Sequence, residues 1–252
     1  MRIYNAGDRV KVYMYGDIGD SYADGLTAAE FAKALDEAGG KPVDIHVNSG
    51  GGDVFEAHAM HTAILAYQGE TVVHIDGIAA SAASYFGLGA DVIAIAPHAM
   101  MMIHKASMLT YGNADELRES AELLEALDNT LASIYAKKTG LKPQTVLDML
   151  KAETWLTADD AVALGFADEI DEGTAKVAAK VDRRISDRWA NAPEDIFEGE
   201  EPAPIADEQA AEPVADTDPA PLDEVEDASE EPHERIVVLS SGVARFTDST
   251  QR

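Results

Sequence analysis

Cysteine is absent from the 252-residue chain, which excludes both a disulfide framework and a thiolate zinc site. A reducing compartment is compatible with that absence. Basic residues are scarce as well: 19 Lys and Arg face 47 Asp and Glu, for a formal net charge of −28. Such a surface does not attract nucleic-acid phosphates or an anionic membrane, so neither is expected as a partner. No apolar run approaches the roughly 20 residues that span a bilayer. Residues 1–8 lack the apolar stretch of a signal peptide. A soluble intracellular, cytoplasmic protein is the expectation.

The acid is unevenly spread. Residues 190–234 hold 17 Asp or Glu, no Lys or Arg, and 7 of the 10 prolines. Like-charge repulsion, the missing proline N–H groups and the shortage of apolar surface all oppose a packed structure there. Removing that stretch leaves −28 + 17 = −11, an ordinary acidic globule. The expected layout is therefore a globular domain over residues 1–175, a helical extension over 176–189, a disordered acidic linker over 190–234 and a C-terminal tail over 235–252. The tail opens on Arg235-Ile236-Val237-Val238-Leu239-Ser240, a short β-like run.

Within the globular part, strands alternate with helices. Residues 9–15 alternate polar and apolar side chains, as a strand with one solvated face should. Thr27 and Glu30 read as a capping box for a helix ending at Gly39-Gly40. Strands follow over 43–47 and 71–75, with a helix opened by Asp53 between them. A small-residue helix is predicted over 80–88, then short strands over 92–96 and 100–103. A long amphipathic helix spans about 113–138, with Leu117, Leu123, Leu124, Leu127, Leu131 and Ile134 on its apolar side. Further helices begin near Lys142 and after Thr157. This order predicts a layered α/β domain with parallel strands.

Two glycine-rich turns fall at carboxyl ends of strands, where ligands bind in parallel sheets. They are Asn48-Ser49-Gly50-Gly51-Gly52 and Gly77-Ile78-Ala79-Ala80-Ser81-Ala82-Ala83-Ser84. Neither has the Gly-Lys-Ser/Thr ending of a phosphate-binding loop. Ser81 sits at the predicted first turn of a helix, where free N–H groups favour a developing oxyanion. A helix cap is the alternative role for it. A nucleophilic serine needs a base, and His104, at the end of the Met100-Met101-Met102-Ile103 strand, is the best placed histidine. His58 and His61, three apart on a helix, read as packing residues or a metal pair lacking a third ligand. His46 and His74 read as sheet-face residues and His98 as part of a turn. Many carboxylates could orient His104, and spacing does not choose among them.

At these residues the chain resembles the Clp protease proteolytic subunit. The nucleophile motif Gly-x-Ala-Ala-Ser stands as Gly77-Ile78-Ala79-Ala80-Ser81, and Met-Ile-His as Met102-Ile103-His104. Asn48-Ser49-Gly50-Gly51-Gly52 matches a turn in which the family has proline at the position of Gly50. The closing stretch Thr154-Trp155-Leu156-Thr157-Ala158-Asp159-Asp160-Ala161 also matches. The resemblance covers roughly residues 8–170. It implies a Clp/crotonase-like α/β fold of β-β-α units with a handle-type helix near 113–138. It further implies a serine protease domain with Ser81 as nucleophile, His104 as base, and the backbone N–H groups of Gly51 and Ala82 as oxyanion hole. Glu153 stands where the family has its aspartate. No metal or cofactor is implied; protein or peptide substrates, a homo-oligomeric ring and an unfoldase ATPase are.

Three departures narrow the expectation. Little chain precedes the first strand to gate an axial pore. The segment after His104 lacks the family's Gln-Pro and glycine pair, and the acidic extension exceeds the usual ending. These features resemble the Clp-like head-maturation proteases of tailed bacteriophages, which process capsid and scaffold proteins. An ATPase-fed housekeeping peptidase, a crotonase-like acyl-thioester enzyme and a non-enzymatic assembly scaffold are the alternatives.

Overall fold

A computed structural model describes residues 1–19, 25–174, 189, 191–192, 236–239 and 242–245. The extension expected over 176–189 and the linker expected over 190–234 therefore lie outside the described residues, apart from Trp189, Asn191 and Ala192. The chain divides into two compact units, Met1–Pro204 and Ile205–Arg252. In the second, Ile236–Leu239 pairs antiparallel with Gly242–Arg245, in keeping with the β-like run read there.

The first unit is built on an eight-stranded sheet. Its strands are β1 (Arg2–Ala6), β2 (Arg9–Tyr15), β3 (Val43–Ser49), β4 (Thr71–Ala80), β5 (Val92–Ile95), β6 (Met100–Ile103), β7 (Thr154–Thr157) and β8 (Glu169–Ile170). The order β1-β2-β3-β4-β5-β8 is parallel from β2 onward, while β6 joins the far end of β4 and β7 joins β6. This is the layered α/β architecture expected. In β2 and β3 every second side chain is buried, including Val10, Val12, Met14, Val43, Ile45 and Val47, so the period of two is realised. The other face carries a polar stack of Tyr13 on His46 and His46 on His74, with ring centroids 4.6 and 4.8 Å apart. Asp76 holds His46 at 2.9 Å and Asp171 holds His74 at 3.1 Å, so both are sheet-face residues as read.

The helices are α1 (Ala28–Ala38), α2 (Val54–Ala66), α3 (Ala83–Phe86), α4 (Ala114–Thr139), α5 (Pro143–Lys151) and α6 (Ala158–Ala163). Asp53, Asn113 and Thr157 cap α2, α4 and α6 with their side chains, each satisfying otherwise orphaned N–H groups. At α1 only half of the expected box forms. Thr27 accepts from Glu30 N–H, and Glu56 of α2 takes a different orphan donor, the Ala28 N–H, as a tertiary cap. His58 and His61 turn to α3, bonding Tyr85 Oη at 2.6 Å and the Phe86 carbonyl at 3.1 Å.

One expectation is corrected here. The helix predicted over 80–88 is a four-residue turn, because β4 runs on through Ile78, Ala79 and Ala80 and pairs there with β6. The apolar stripe of α4 is buried only in its second half: Leu131 is covered, but Leu117 and Leu123 stay exposed.

Candidate active site

The bend in β4 builds the site. Its first half pairs with β5 and its second with β6, so the chain leaves the sheet at Ser81 beside the end of β6. Ser81 N–H donates to the Met102 carbonyl at 2.9 Å, which fixes the serine beside the strand end that carries His104, two residues on. Ser81 lies at a strand-to-helix elbow with φ of 54°, not in a first helical turn. A non-glycine residue there costs on the order of 1–2 kcal/mol, and the surrounding pairing must hold it. Among the described residues, the one other non-glycine with positive φ is Glu153, at 49°.

The second strained residue is placed by register. β6 and β7 run antiparallel with Met102 opposite Trp155 and Ile103 opposite Thr154. Continuing one step sets His104 opposite Glu153. Three elements thus converge: the end of β4 brings Ser81, the end of β6 brings His104, and the link from α5 to β7 brings Glu153.

Ser81 Oγ and His104 Nε2 lie 2.7 Å apart, a full hydrogen bond. Burial pushes the His104 pKa below its ordinary 6.5, and the negative charges of Glu153 and Asp128 oppose that shift. The imidazole is therefore neutral at neutral pH and able to accept a proton. Among the described residues, Glu153 takes its hydrogen bonds from Asn191 N–H at 2.8 Å and Trp155 Nε1 at 3.4 Å. Its influence on His104 is through charge.

Gly51 closes the site from the opposite strand. Its φ is +93°, and a Cβ there would lie 2.7 Å from Ser81 Cβ and 2.9 Å from the Ala82 nitrogen. Gly51, Ser81 and Ala82 are thus packed backbone against backbone. The Gly51 N–H donates to Ser49 Oγ at 3.1 Å, so this donor is engaged within its own turn. Ser84, the neighbouring hydroxyl, is buried and bonded to the Ser81 carbonyl and Tyr135 Oη, both at 2.6 Å. It is a structural serine.

Sequence reasoning passed over three residues around the pair. Asp128 is buried on α4, accepts from Ala106 N–H at 2.8 Å and pairs with Lys105 at 3.1 Å, anchoring the chain just past His104. A carboxylate interrupting the apolar side of α4 was its one signal. Trp189 and Asn191 reach the site from beyond β8; a tryptophan in an otherwise polar stretch was theirs.

The charge coupling gives a signed expectation. Glu153→Gln removes an influence that raises the His104 pKa, so the acid limb of kcat/KM should move to lower pH. Turnover should fall by about 10- to 100-fold, less than the ~10⁴ seen where a triad carboxylate hydrogen-bonds its histidine. A pH–rate profile of the variant checks both. A limb that stays put would shift the orienting role to Asp128.

Comparison with known proteins agrees with the geometry. A family model described as Clp protease matches residues 2–174. The ATP-dependent Clp protease proteolytic subunit 2 of Gluconobacter oxydans is 26% identical over 167 residues, covering 65% of this chain and 74% of that protein. Subunit 1 of Protochlamydia amoebophila is 30% identical over 135 residues, covering 52% of this chain and 66% of that protein. Among solved structures, a point mutant of ClpP1 from Listeria monocytogenes superposes with a TM-score of 0.58 at 23% identity. The match covers 65% of this chain and 91% of that one, and it speaks for the fold.

Proposed function

Because the chain belongs to the Clp protease family, we propose that it is a serine endopeptidase whose nucleophile is Ser81. The 2.7 Å contact between Ser81 Oγ and His104 Nε2 carries the reading. His104 takes the hydroxyl proton as Oγ bonds to the peptide carbonyl carbon. The oxyanion forms beside the backbone N–H groups of Gly51 and Ala82, with the Gly51 donor turning from Ser49 to the substrate. Collapse breaks the C–N bond, and His104 returns the proton to the leaving amine. Water then attacks the acyl-enzyme, again through His104, and frees Ser81. Glu153 stabilises the imidazolium that forms at each step. The chemistry needs no metal or cofactor.

A crotonase-like role is disfavoured because such a site gives a serine no histidine partner to activate it. The exposed Leu117 and Leu123 on α4 support a homo-oligomer in which these helices meet. The protease domain is taken as residues 1–175, and the acidic stretch over 190–234 as a separate tail.

The substrates we propose are capsid or scaffold proteins processed during phage head maturation. The support is the acidic extension together with the altered segment after His104. Co-expression with the neighbouring capsid gene should give a shortened capsid protein with the wild-type chain and an intact one with Ser81→Ala. Equal processing in both would sink this assignment. The printed names of the relatives, ATP-dependent proteolytic subunits, favour the second reading of a housekeeping peptidase fed by an unfoldase. That reading requires degradation of a folded protein to depend on added ATPase and ATP.

A further inference from the structure

Trp189 lies against His104, with ring centroids 4.4 Å apart and planes inclined at 59°. It packs on Ile78, Ala80 and Met102, with Trp155 beside it. These are residues of β4 and β6, the two strands that present Ser81 and His104, and of β7. Two positions on, the Asn191 backbone N–H donates to Glu153 Oε1 at 2.8 Å, and its side-chain amide donates to the Ala152 carbonyl at 3.3 Å. The chain beyond β8 thus holds the base through an aromatic side chain and the acid through a main-chain hydrogen bond. A bound peptide would use the same two kinds of contact, one apolar anchor and one backbone bond.

The fit is incomplete. Among the described residues, the Trp189 indole N–H is buried with no acceptor. A permanent core tryptophan is normally given a partner for that group, and leaving it dry weakens the contact. The arrangement suits an occupant that can be displaced.

We propose that Trp189 and Asn191 are a built-in occupant of the peptidase site, competing with substrate in the resting full-length chain. The proposal rests on the serine-peptidase reading above. A site that is open for only a fraction of the time reacts with an external ligand at that fraction of its intrinsic rate. Truncating the anchor therefore activates the enzyme, whereas truncating a mere structural tryptophan would not.

The test compares the full-length wild type with Trp189→Ala and with Asn191→Pro, which removes the N–H given to Glu153. Two readouts are taken: the rate at which a fluorophosphonate labels Ser81, and the NMR titration of the His104 ring. Labelling should be about tenfold faster in Trp189→Ala and faster by a smaller factor in Asn191→Pro. Uncovering the ring should also move the His104 titration to higher pH. Labelling no faster than wild type in a folded variant would overturn the proposal. Should no protein be labelled, the peptidase reading fails on its own account. The His104 titration then decides occupancy: a shift in Trp189→Ala supports it and an unchanged curve refutes it. If Trp189→Ala does not fold, the Asn191→Pro rate decides alone.

Discussion

Ser81→Ala should lower cleavage of an unfolded protein substrate by a factor on the order of 10⁵ or more while leaving the fold intact. Its Oγ is the atom hydrogen-bonded to His104, and Ser84, the other hydroxyl nearby, is committed to the Ser81 carbonyl and Tyr135. No local substitute can take over the attack. The backbone role of the residue, its N–H bonded to the Met102 carbonyl, survives in alanine. The urea midpoint should therefore change little while activity disappears. His104→Ala should cost about as much, and the double variant no more than either, because nucleophile and base act as one unit. Activity above a tenth of wild type in Ser81→Ala would place the chemistry elsewhere.

Gly51→Ala should abolish most of the activity through a single added methyl group. The added Cβ would stand 2.6 Å from the Ala80 carbonyl oxygen, 2.7 Å from Ser81 Cβ and 2.9 Å from the Ala82 nitrogen. All three are backbone or nucleophile atoms, so none can move aside without moving the elbow. At φ +93° an alanine is also strained whatever space it finds. Loss of one oxyanion donor is worth about 10²–10³ in kcat, and displacement of Ser81 adds to it. Gly52→Ala separates the site from the fold. Its Cβ would fall 2.0 Å from the Ile18 carbonyl oxygen, which accepts the Asp53 N–H, so that variant should lose stability as well as activity. Urea titration alongside peptide hydrolysis distinguishes the two. A Gly51→Ala enzyme with near-normal turnover would remove Gly51 from the oxyanion hole.

The strands β2 and β3 could be read because their alternation repeats a local rule over seven residues each. The same holds for the capped ends of α2, α4 and α6, where a single polar side chain answers a local need. The end of β4 could not be read that way. Ile78-Ala79-Ala80 suits a helix as well as a strand, and pairing with Met100, Met101 and Met102 decides it. That pairing is tertiary and leaves no mark in the local pattern. The positive φ of Ser81 follows from it, which is why a helix-turn position was expected instead.

Motif order links Ser81, His104 and Gly51 in the sequence, and the strand-to-helix elbow brings all three together in space. Glu153 was named from its place in the closing stretch. What sequence did not carry is that Glu153 has a positive φ just beyond the β6–β7 register and reaches His104 through its charge. Trp189 was beyond reach altogether. It acts through a contact with His104 across 85 positions in the chain, and no periodicity links the two. Leu117 and Leu123 show the converse: the pattern is amphipathic, but among the described residues nothing covers that half of α4.

Ser81 as a nucleophile activated by His104 is directly testable. Treating the full-length protein with a fluorophosphonate and mapping the adduct by peptide mass spectrometry tests this directly. A single adduct on the peptide containing Ser81, lost in His104→Ala at the same pH, is the predicted result. An adduct on another residue, or equal labelling of Ser81 without His104, would contradict it.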